Sequence, residues 1–387
     1  MNNNIEAKDG PIAVYAFSAD PITYGHINIV ERIAASFPKC IVGIGRNPAK
    51  KYLFDIKERE YLASQSLSHL PNVEVIAFNG MVVDFAYEYG AKVIIKGARS
   101  AADVEYEQTL HQVGVSQKLG IDTHILFADP QLAHISSSVV KGIQQEHGFI
   151  HDYVPPAVKV ALEKRISNQL IIGLTGDIAS GKSYLAEQLI IEGHKIGLKV
   201  HNIDLDILGH QILAGEGIAS PLHQKLVLSL REFIGDEIIV EGGIDRRILS
   251  KIVFSSESKM KSLNEIMLQP LSILLRRSLK NREGLILLNG ALLAEINKLA
   301  WCNYRCIVCS VEPQEQLKRL SERGLNNLEA KDRLSSQLNS DEKSKRARKE
   351  VECSRFGRVW EYDSLLDLPN ELLRNVLIDC EESKWIS

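Results

Sequence analysis

The feature that most constrains this chain is the pattern Gly176-x-x-x-x-Gly181-Lys182-Ser183. An apolar run that is typical of a buried parallel strand precedes it, and a segment with helical spacing follows from Tyr184. Glycines in this context let successive backbone N–H groups face a polyphosphate at a helix N-terminus. Lys182 can reach the β- and γ-phosphates, and the Ser183 hydroxyl can hold Mg²⁺. The pattern therefore predicts that this half of the chain binds a nucleoside triphosphate.

Length and composition limit the alternatives. The 387 residues are too many for one ordinary core and suit two domains. A formal net charge of −3 gives no reason to expect nucleic acid or an anionic membrane surface as a partner, and no apolar run approaches the length of a membrane span. The polar residues 1–11 are expected to be a flexible leader without a targeting function. Six cysteines in this length indicate a reducing compartment, so we expect a cytoplasmic location.

Three of the cysteines have a spacing that radical enzymes use for an iron–sulfur cluster, Cys302-x-x-x-Cys306-x-x-Cys309. The apolar run from Arg305 to Val311, however, predicts a buried strand on which Cys306 and Cys309 point to opposite faces. The two thiols could then not bind one cluster together, and we interpret them as small apolar residues of the core.

The first half alternates predicted strands with predicted helices. Strands are expected at residues 11–16, 40–45, 73–78 and 93–97. Such alternation predicts a parallel sheet with both faces covered, whose ligands lie at the carboxyl ends of the strands. Three hydroxyls, Ser136 to Ser138, precede a later helix, where one suffices as an N-cap and three suit a second phosphate site. The other candidate residues at the strand ends are Ser18, His26, Lys50, Lys96 and Arg99.

These segments together resemble a known family. Residues 20–26 are similar to the T/H-x-G-H motif of the nucleotidyltransferase superfamily, and residues 135–138 to its triphosphate-binding motif. Three more segments, at 48–54, 96–99 and 103–107, resemble the signature of bacterial-type phosphopantetheine adenylyltransferase. The resemblance extends over residues 12–168 and implies a Rossmann-like nucleotidyltransferase domain.

That resemblance implies adenylyl transfer from ATP to 4′-phosphopantetheine, giving dephospho-CoA and pyrophosphate. His26 would stabilise the charge that develops on the phosphates, while Lys50 and Ser18 would orient the attacking phosphate. Phe17 departs from the family's usual Gly, and Lys96 from its usual Arg, which keeps the charge but loses the bidentate fork. The implied ATP contacts are Ser18, Arg99, Glu107, Ser136, Ser137 and Ser138, and the implied substrate contacts are Ser18, Lys50, Val82 and Lys96.

In the second half, residues 199–206 are predicted to form a strand that ends in two carboxylates, Asp204 and Asp206. Alternate positions on a strand would place both on one face, near the phosphate loop. A carboxylate there could accept a hydroxyl proton as a nucleophile attacks the γ-phosphate. A solvated pair without a function is the alternative.

This half resembles dephospho-CoA kinase over residues 169–384, through the phosphate loop and the segments 203–210, 245–254 and 292–295. The resemblance implies transfer of the γ-phosphate of ATP to the 3′-hydroxyl of the dephospho-CoA ribose. This half departs from the family at four places: Gln269-Pro270 replaces the usual His-Pro, Ala291 stands near a usual Pro, Arg323-Gly324 replaces Arg-Asp, and the late Asp-x-x-Ile-x-Asn-x-Gly segment is not recognisable. By this resemblance, the catalytic residues would be Asp206 and Lys182. The residues in contact with ATP would be Gly176, Gly181, Lys182, Ser183 and the lid residue Arg323. The substrate would contact Asp204, Leu293 and Glu295, and Ser183 would bind the metal.

We therefore expect an α/β protein with two doubly wound parallel-sheet domains, a nucleotidyltransferase domain at 12–168 and a P-loop kinase domain at 169–387. Because the first product is the second substrate, the pair would catalyse the last two steps of coenzyme A biosynthesis. Mg²⁺ is the expected cofactor, and ATP, 4′-phosphopantetheine, dephospho-CoA and CoA are the expected ligands; a homo-oligomer is possible. Two alternatives stay open: an active adenylyltransferase with a degenerate kinase half, or a regulatory scaffold that only binds nucleotides.

Overall fold

The computed structural model describes residues 10–240, 243–254, 256–291, 293–322, 324, 334 and 338–381. The chain divides into two compact units, which we call unit 1 (Met1–Gln144 and Phe149–Arg165) and unit 2 (Gln145–Gly148 and Ile166–Ser387). Most of the predicted leader, residues 1–9, lies outside the described residues. The boundaries predicted from the sequence for the two domains, 12–168 and 169–387, stay predictions.

Unit 1 alternates strands and helices from β1 to α5 and ends with a further helix, α6. In chain order its elements are β1 (Ile12–Phe17), α1 (Tyr24–Ser36), β2 (Lys39–Ile44), α2 (Ile56–Leu67), β3 (Val73–Ala77), α3 (Val82–Glu88), β4 (Val93–Ala98), α4 (Ala101–Ser116), β5 (Asp122–Phe127), α5 (Ser137–Gln145) and α6 (Pro156–Ser167).

The described strands of unit 1 form one five-stranded parallel sheet in the order β3-β2-β1-β4-β5. The chain moves outward from β1 in one direction and then returns to add β4 on its other side. The connections therefore diverge between β1 and β4, which opens a crevice at the carboxyl ends of these two strands. In the core, Gly43 leaves room for the stacked rings of Phe78 and Phe85, since a Cβ there would come within 2.9 Å of both.

Unit 2 also builds a parallel sheet from strands joined by helices, but with a different strand order. In chain order its elements are β6 (Gln169–Gly176), α7 (Lys182–Lys195), β7 (Val200–Asp204), α8 (Leu205–Leu213), α9 (Ser220–Ile234), β8 (Ile239–Val240), β9 (Gly243–Ile244), α10 (Arg246–Phe254), α11 (Glu257–Leu279), β10 (Gly284–Asn289), β11 (Arg305–Ser310), α12 (Pro313–Glu322), α13 (Ser340–Ser354), β12 (Arg358–Asp363) and α14 (Pro369–Glu381).

Its main sheet, among the described residues, has five parallel strands in the order β12-β11-β6-β10-β7. The central strand β6 is buried along most of its length because helices cover both faces of the sheet, which is why its sequence is nearly continuously apolar. At one edge, the indole of Trp360 donates to Asp379 at 2.7 Å and ties β12 to α14. The predicted class of two doubly wound α/β domains is confirmed.

The cysteines are free thiols, and all except the exposed Cys353 are buried. Cys306 and Cys309 lie on β11 within the core, and Cys302 in a short 3₁₀ turn before it. Within the described residues, no helix is both long and apolar enough to cross a bilayer.

Candidate functional site

Unit 1 contains a cavity of about 360 Å³ at the carboxyl ends of β1 and β4. The N-terminus of α1 brings His26 to it, and the loop before α2 brings Lys50. Most of the residues that the sequence singled out therefore meet at one place. Those that line the cavity are His26, Lys50, Lys96, Arg99, Glu107, Ser136, Ser137 and Ser138.

His26 is held in one orientation by the start of its own helix. The backbone N–H of Thr23 donates to its Nδ1 at 3.1 Å, and the Thr23 hydroxyl lies 2.8 Å from the same nitrogen. Because Nδ1 accepts, the proton of the neutral ring sits on Nε2. Protein atoms desolvate the ring, and the charges of Arg99 and Lys50 add to this, so the pKa of His26 falls to about 4. At neutral pH the residue is therefore an uncharged hydrogen-bond donor.

Phe17, the departure from the family's glycine, packs against this imidazole. The two rings are stacked, with centroids 4.5 Å apart and planes 11° apart. Tyr15 lies on the same face of β1, 4.9 Å from the Phe17 ring. The Phe17 ring thus covers one face of the His26 imidazole, while Thr23 holds its Nδ1 atom.

Asp20, which follows β1, is bonded both to a loop and to a helix that border the cavity. Its buried carboxylate accepts hydrogen bonds from the backbone N–H groups of Leu53 and Phe54, both at about 3.0 Å. It also pairs with Lys141 of α5 at 2.6 Å. One carboxylate therefore positions both the loop that carries Lys50 and the helix that carries the three serines.

Arg59 of α2 secures the neighbouring strand ends. Its guanidinium donates to the carbonyls of Ser18 at 2.6 Å and Gly45 at 2.9 Å, and it lies 4.0 Å over the Tyr52 ring. The Ser18 hydroxyl lies 3.4 Å from the Tyr52 hydroxyl, and Ser18 is not among the residues that line the cavity. Its predicted contacts with ATP and substrate stay predictions.

The three serines at the start of α5 have separate places. The Ser136 hydroxyl accepts from the backbone N–H of Val139 at 3.3 Å, which is an N-cap. Ser137 donates to the carbonyl of Pro21 at 2.8 Å. All three residues still border the cavity, so the helix N-terminus faces it with its unpaired N–H groups.

Lys96 and Glu107 form a mostly buried ion pair at 2.9 Å, with their side chains 13% and 15% exposed. The pair borders both the main cavity and a second, mainly apolar cavity of about 240 Å³. Val82, at the start of α3, lines this second cavity. The predicted substrate residues Val82 and Lys96 therefore share a wall, next to the predicted nucleotide residue Glu107.

Unit 2 contains a cavity of about 250 Å³ at the carboxyl ends of β6, β7 and β10. The phosphate loop forms one side of it and the start of α8 the other. The predicted site residues on its wall are Gly181, Lys182, Ser183, Asp204 and Asp206.

The phosphate loop has the backbone that its glycines predict. Gly176 and Gly181 have φ of +144° and +96°, and Gly181 is the N-cap of α7. A Cβ at Gly176 would lie 2.2 Å from the carbonyl oxygen of Cys309, so no other residue fits there. Lys182 folds back and donates to the carbonyls of Gly176 at 3.0 Å and Asp177 at 2.6 Å.

The prediction that Asp204 and Asp206 both lie on a strand is wrong. Strand β7 ends at Asp204, whose carboxylate accepts from the N–H groups of Asp206 and Ile207 at about 3.0 Å and so caps α8. Asp206 lies in the first helical turn and faces the same cavity. Although the residue is exposed, protein atoms desolvate its carboxyl, and the Asp204 charge adds to this, so its pKa is raised.

The remaining residues predicted for substrate binding lie elsewhere. Leu293 is buried against Gly173 of β6, and Glu295 accepts from the backbone N–H of Leu338 at 3.3 Å. Neither residue lines the unit 2 cavity, and their roles stay predictions. The predicted lid residue Arg323 lies outside the described residues. Arg319, before it, donates to the loop carbonyl of Ala179 at 3.2 Å.

Sequence patterns did not reveal Lys343, which is completely buried beside the phosphate loop. It belongs to α13, a helix rich in exposed charges, where a lysine is normally solvated. The available signal was its spacing of four residues from Ala347, which places both on the helix's buried face.

Comparisons with known proteins agree with both halves. The cytidylyltransferase-like family model matches residues 15–143, and the dephospho-CoA kinase family model matches residues 170–355. The phosphopantetheine adenylyltransferase of Haemophilus ducreyi is 39% identical over 156 residues, which is 40% of this chain and 97% of that protein. Those of Actinobacillus succinogenes and Staphylococcus haemolyticus are 40% and 41% identical over 152 and 153 residues, 39% and 40% of this chain and 94% and 95% of theirs.

The folds and the two cavities define a two-domain α/β protein that joins a nucleotidyltransferase to a P-loop kinase. Within that class, the chain belongs to the phosphopantetheine adenylyltransferase family through its first half, and its second half is a dephospho-CoA kinase domain.

Proposed function

We propose that the chain catalyses the last two steps of coenzyme A biosynthesis. Unit 1 transfers the adenylyl group of ATP to 4′-phosphopantetheine, and unit 2 phosphorylates the 3′-hydroxyl of the dephospho-CoA that results. One observation carries the proposal: in each unit, residues that match the family motifs converge on a cavity where the connections of a parallel sheet diverge. The matches to both families support the same pair of reactions.

In unit 1, an oxygen of the 4′-phosphate attacks the α-phosphorus of ATP. The bond from that phosphorus to the oxygen bridging to the β-phosphate breaks, and pyrophosphate leaves. His26, neutral and with its proton on Nε2, donates to a phosphate oxygen as charge develops. Lys50 and Arg99 supply positive charge around the same cavity. Positioning and electrostatic stabilisation suffice, so no covalent intermediate with the protein is needed.

In unit 2, the ribose 3′-hydroxyl attacks the γ-phosphorus, the bond to the bridging oxygen breaks, and ADP leaves. Asp206 accepts the hydroxyl proton, and its raised pKa suits this role because a more basic carboxylate takes the proton more readily. Lys182 turns from its loop carbonyls to the phosphates.

We propose Mg²⁺ as the cofactor. Among the described residues, no group of three His, Cys, Asp or Glu side chains could hold a metal ion. Mg²⁺ usually keeps several waters and binds through substrate phosphates and one or two protein ligands rather than in a protein cage. In unit 2 the exposed Ser183 hydroxyl lies on the cavity wall and would add one ligand. The ion would neutralise charge on the phosphates.

We further infer a cytoplasmic location, from the pathway, and a homo-oligomer. Support for the oligomer comes from α4, on which no described residue is buried. Tyr106, Val113 and Val115 of this helix are 58%, 46% and 55% exposed.

The test of both reactions is incubation with 4′-phosphopantetheine, ATP and Mg²⁺, with pyrophosphate, ADP, dephospho-CoA and CoA followed separately. We expect CoA from the unmodified chain. His26→Ala should suppress pyrophosphate release by about 100-fold or more, as removal of a charge-stabilising donor does. Lys182→Ala should leave pyrophosphate release intact and make dephospho-CoA accumulate.

Other outcomes separate the alternatives. Accumulation of dephospho-CoA by the unmodified chain would show that only the adenylyltransferase half is active. ATP binding without release of pyrophosphate or ADP would contradict the enzymatic proposal and favour a regulatory scaffold.

A further inference from the structure

Lys343 is the most deeply buried cation of the described part of unit 2, with no exposed surface. It lies in the first turn of α13, whose start is fixed by the Asn339 cap: the Asn339 side chain accepts from the N–H of Glu342 at 2.9 Å. A buried ammonium group is costly unless acceptors surround it. Its contacts therefore indicate what the residue does.

Three acceptors surround the Nζ atom of Lys343. It donates to the carbonyl of Gly176 at 3.0 Å, and it lies 3.3 Å from Glu295 Oε1 and 3.9 Å from Asp177 Oδ1. Burial raises the pKa of both carboxyls, and the charge of Lys343 opposes this rise. The three acceptors come from the phosphate loop and from the turn after β10, so one side chain joins these segments to α13.

The Gly176 carbonyl is shared between two lysines. Lys182 donates to it at 3.0 Å, the same distance as Lys343. To reach a phosphate, Lys182 must give up this hydrogen bond. Gly176 is buried, and a buried carbonyl left without a donor is destabilising. Lys343 does not line the cavity and can remain bound to the carbonyl when Lys182 leaves.

The neighbouring loop carbonyls are held in a similar way. Gln316 of α12 donates to Ile178 O at 2.8 Å, and Arg319 donates to Ala179 O at 3.2 Å. A carbonyl that is bound to such a donor is not free to turn toward a phosphate, which it would repel. Lys343 differs from these two residues because its carbonyl is also the resting partner of the phosphate-binding lysine.

We propose that Lys343 is a positioning residue for ATP in unit 2: it keeps the Gly176 carbonyl hydrogen-bonded so that Lys182 is free to move to the phosphates. This inference rests on the proposed kinase function, but only for the step of ATP binding. It assigns Glu295 to the same cluster, as the carboxylate that pairs with Lys343.

The test replaces Lys343 by Met, which keeps the length of the side chain and removes the charge. Turnover is followed as ADP released from dephospho-CoA and ATP with Mg²⁺. We expect the KM for ATP to rise by about tenfold, the equivalent of one lost buried hydrogen bond, while the KM for dephospho-CoA changes little. Lys345→Met, two residues along the same helix at an exposed position, is the matched control and should leave both values unchanged.

The split between the two substrates is the readout that a purely structural role would not produce. A general loss of packing around α13 would change kcat and both KM values, whereas loss of the hydrogen bond to the Gly176 carbonyl should change the KM for ATP.

A binding measurement keeps the test independent of turnover. The three tryptophans of the chain are Trp301, Trp360 and Trp385, all in unit 2, so tryptophan fluorescence reports the unfolding of this unit. ATP with Mg²⁺ should raise the thermal midpoint, and Lys343→Met should need about tenfold more ATP for half of that rise. Lys182→Ala should abolish it.

These readouts separate the two possible failures. An unmodified chain that shows the ATP-dependent rise but releases no ADP would contradict the kinase proposal and still test the role of Lys343. A folded Lys343→Met protein with an unchanged ATP requirement would overturn the inference. If Lys343→Met does not fold, the double variant Lys343→Met with Glu295→Gln, which also removes the unpaired carboxylate, is measured instead. The same increase in the ATP requirement is expected of it, and an unchanged requirement would again overturn the inference.

Discussion

His26 shows how a titratable residue can be kept uncharged in a cavity that is built for anions. Its Nδ1 accepts from the backbone N–H of Thr23, and Phe17 covers one face of the ring. Arg99 and Lys50, which would attract phosphates, also disfavour a positive imidazole. The cations therefore supply the charge, and His26 supplies a directed hydrogen bond.

We predict that His26 does not titrate near pH 6.5, the ordinary value for histidine. In the chain labelled with ¹⁵N-histidine, its ring signals, assigned by their loss in His26→Gln, should stay those of a neutral Nε2–H ring down to about pH 4. Since the folded pKa lies below the unfolded one, the stability that this residue contributes is present above pH 6.5 and is lost as the pH falls toward 4. A titration midpoint near 6.5 would show that the ring is solvated.

At this scale, the sequence predicts residues whose role is local. The phosphate loop could be predicted because its glycines and Lys182 are adjacent in the chain. Lys343 could not, because its partners Gly176 and Glu295 lie far away in the sequence and meet it only through the packing of α13. Asp20 and Arg59 likewise act through backbone groups on other elements.

At the scale of elements, the junction of β7 and α8 is where the sequence misleads. Ile203, Leu205 and Ile207 continue an alternating pattern, which predicts a strand through Asp206. The structure starts a helix instead, because the Asp204 carboxylate satisfies two N–H groups of its first turn. The four strands predicted in the first half, at 11–16, 40–45, 73–78 and 93–97, begin and end within one residue of β1 to β4.

The cap and the charge of Asp204 can be separated by experiment. Asp204→Asn should keep the cap, because Asn caps helices about as well as Asp, whereas Asp204→Ala should cost about 1 kcal/mol of stability. The charge of Asp204 raises the pKa of Asp206, so in Asp204→Asn the acid limb of kcat/KM for ADP release should move to lower pH. Denaturant unfolding followed by tryptophan fluorescence and a pH profile measure the two effects.

If the acid limb of the pH profile of ADP release does not move in Asp204→Asn, Asp206 is not the group whose ionisation governs the rate. Asp55→Ala, which removes the corresponding cap of α2 in unit 1, is the control: it should leave ADP release unchanged.

At the scale of the whole molecule, each unit has its own parallel sheet, its own core and its own cavity. The two-domain organisation could be predicted because each half carries motifs of its own family and the length is too great for one ordinary core. The oligomeric state could not, since exposed apolar side chains such as Val113 have the same sequence signal as buried ones.

We predict that sedimentation equilibrium finds a homo-oligomer rather than a single chain. Val113→Glu with Val115→Glu should shift the population toward the monomer, because charges in an apolar interface remain unpaired. Leu228→Glu, at an equally exposed apolar position on α9 of unit 2, should not. A monomeric unmodified chain would show that the exposed face of α4 does not associate.

The distribution of thiols has a practical consequence. With Cys353 exposed on α13 and the other five cysteines buried, one sulfur atom is open to a maleimide in the folded chain. A dye or spin label can therefore be attached at one defined position without replacing any cysteine. The labelled helix is the one that carries Lys343, so the natural sequence already provides a spectroscopic probe of the element that supports the phosphate loop.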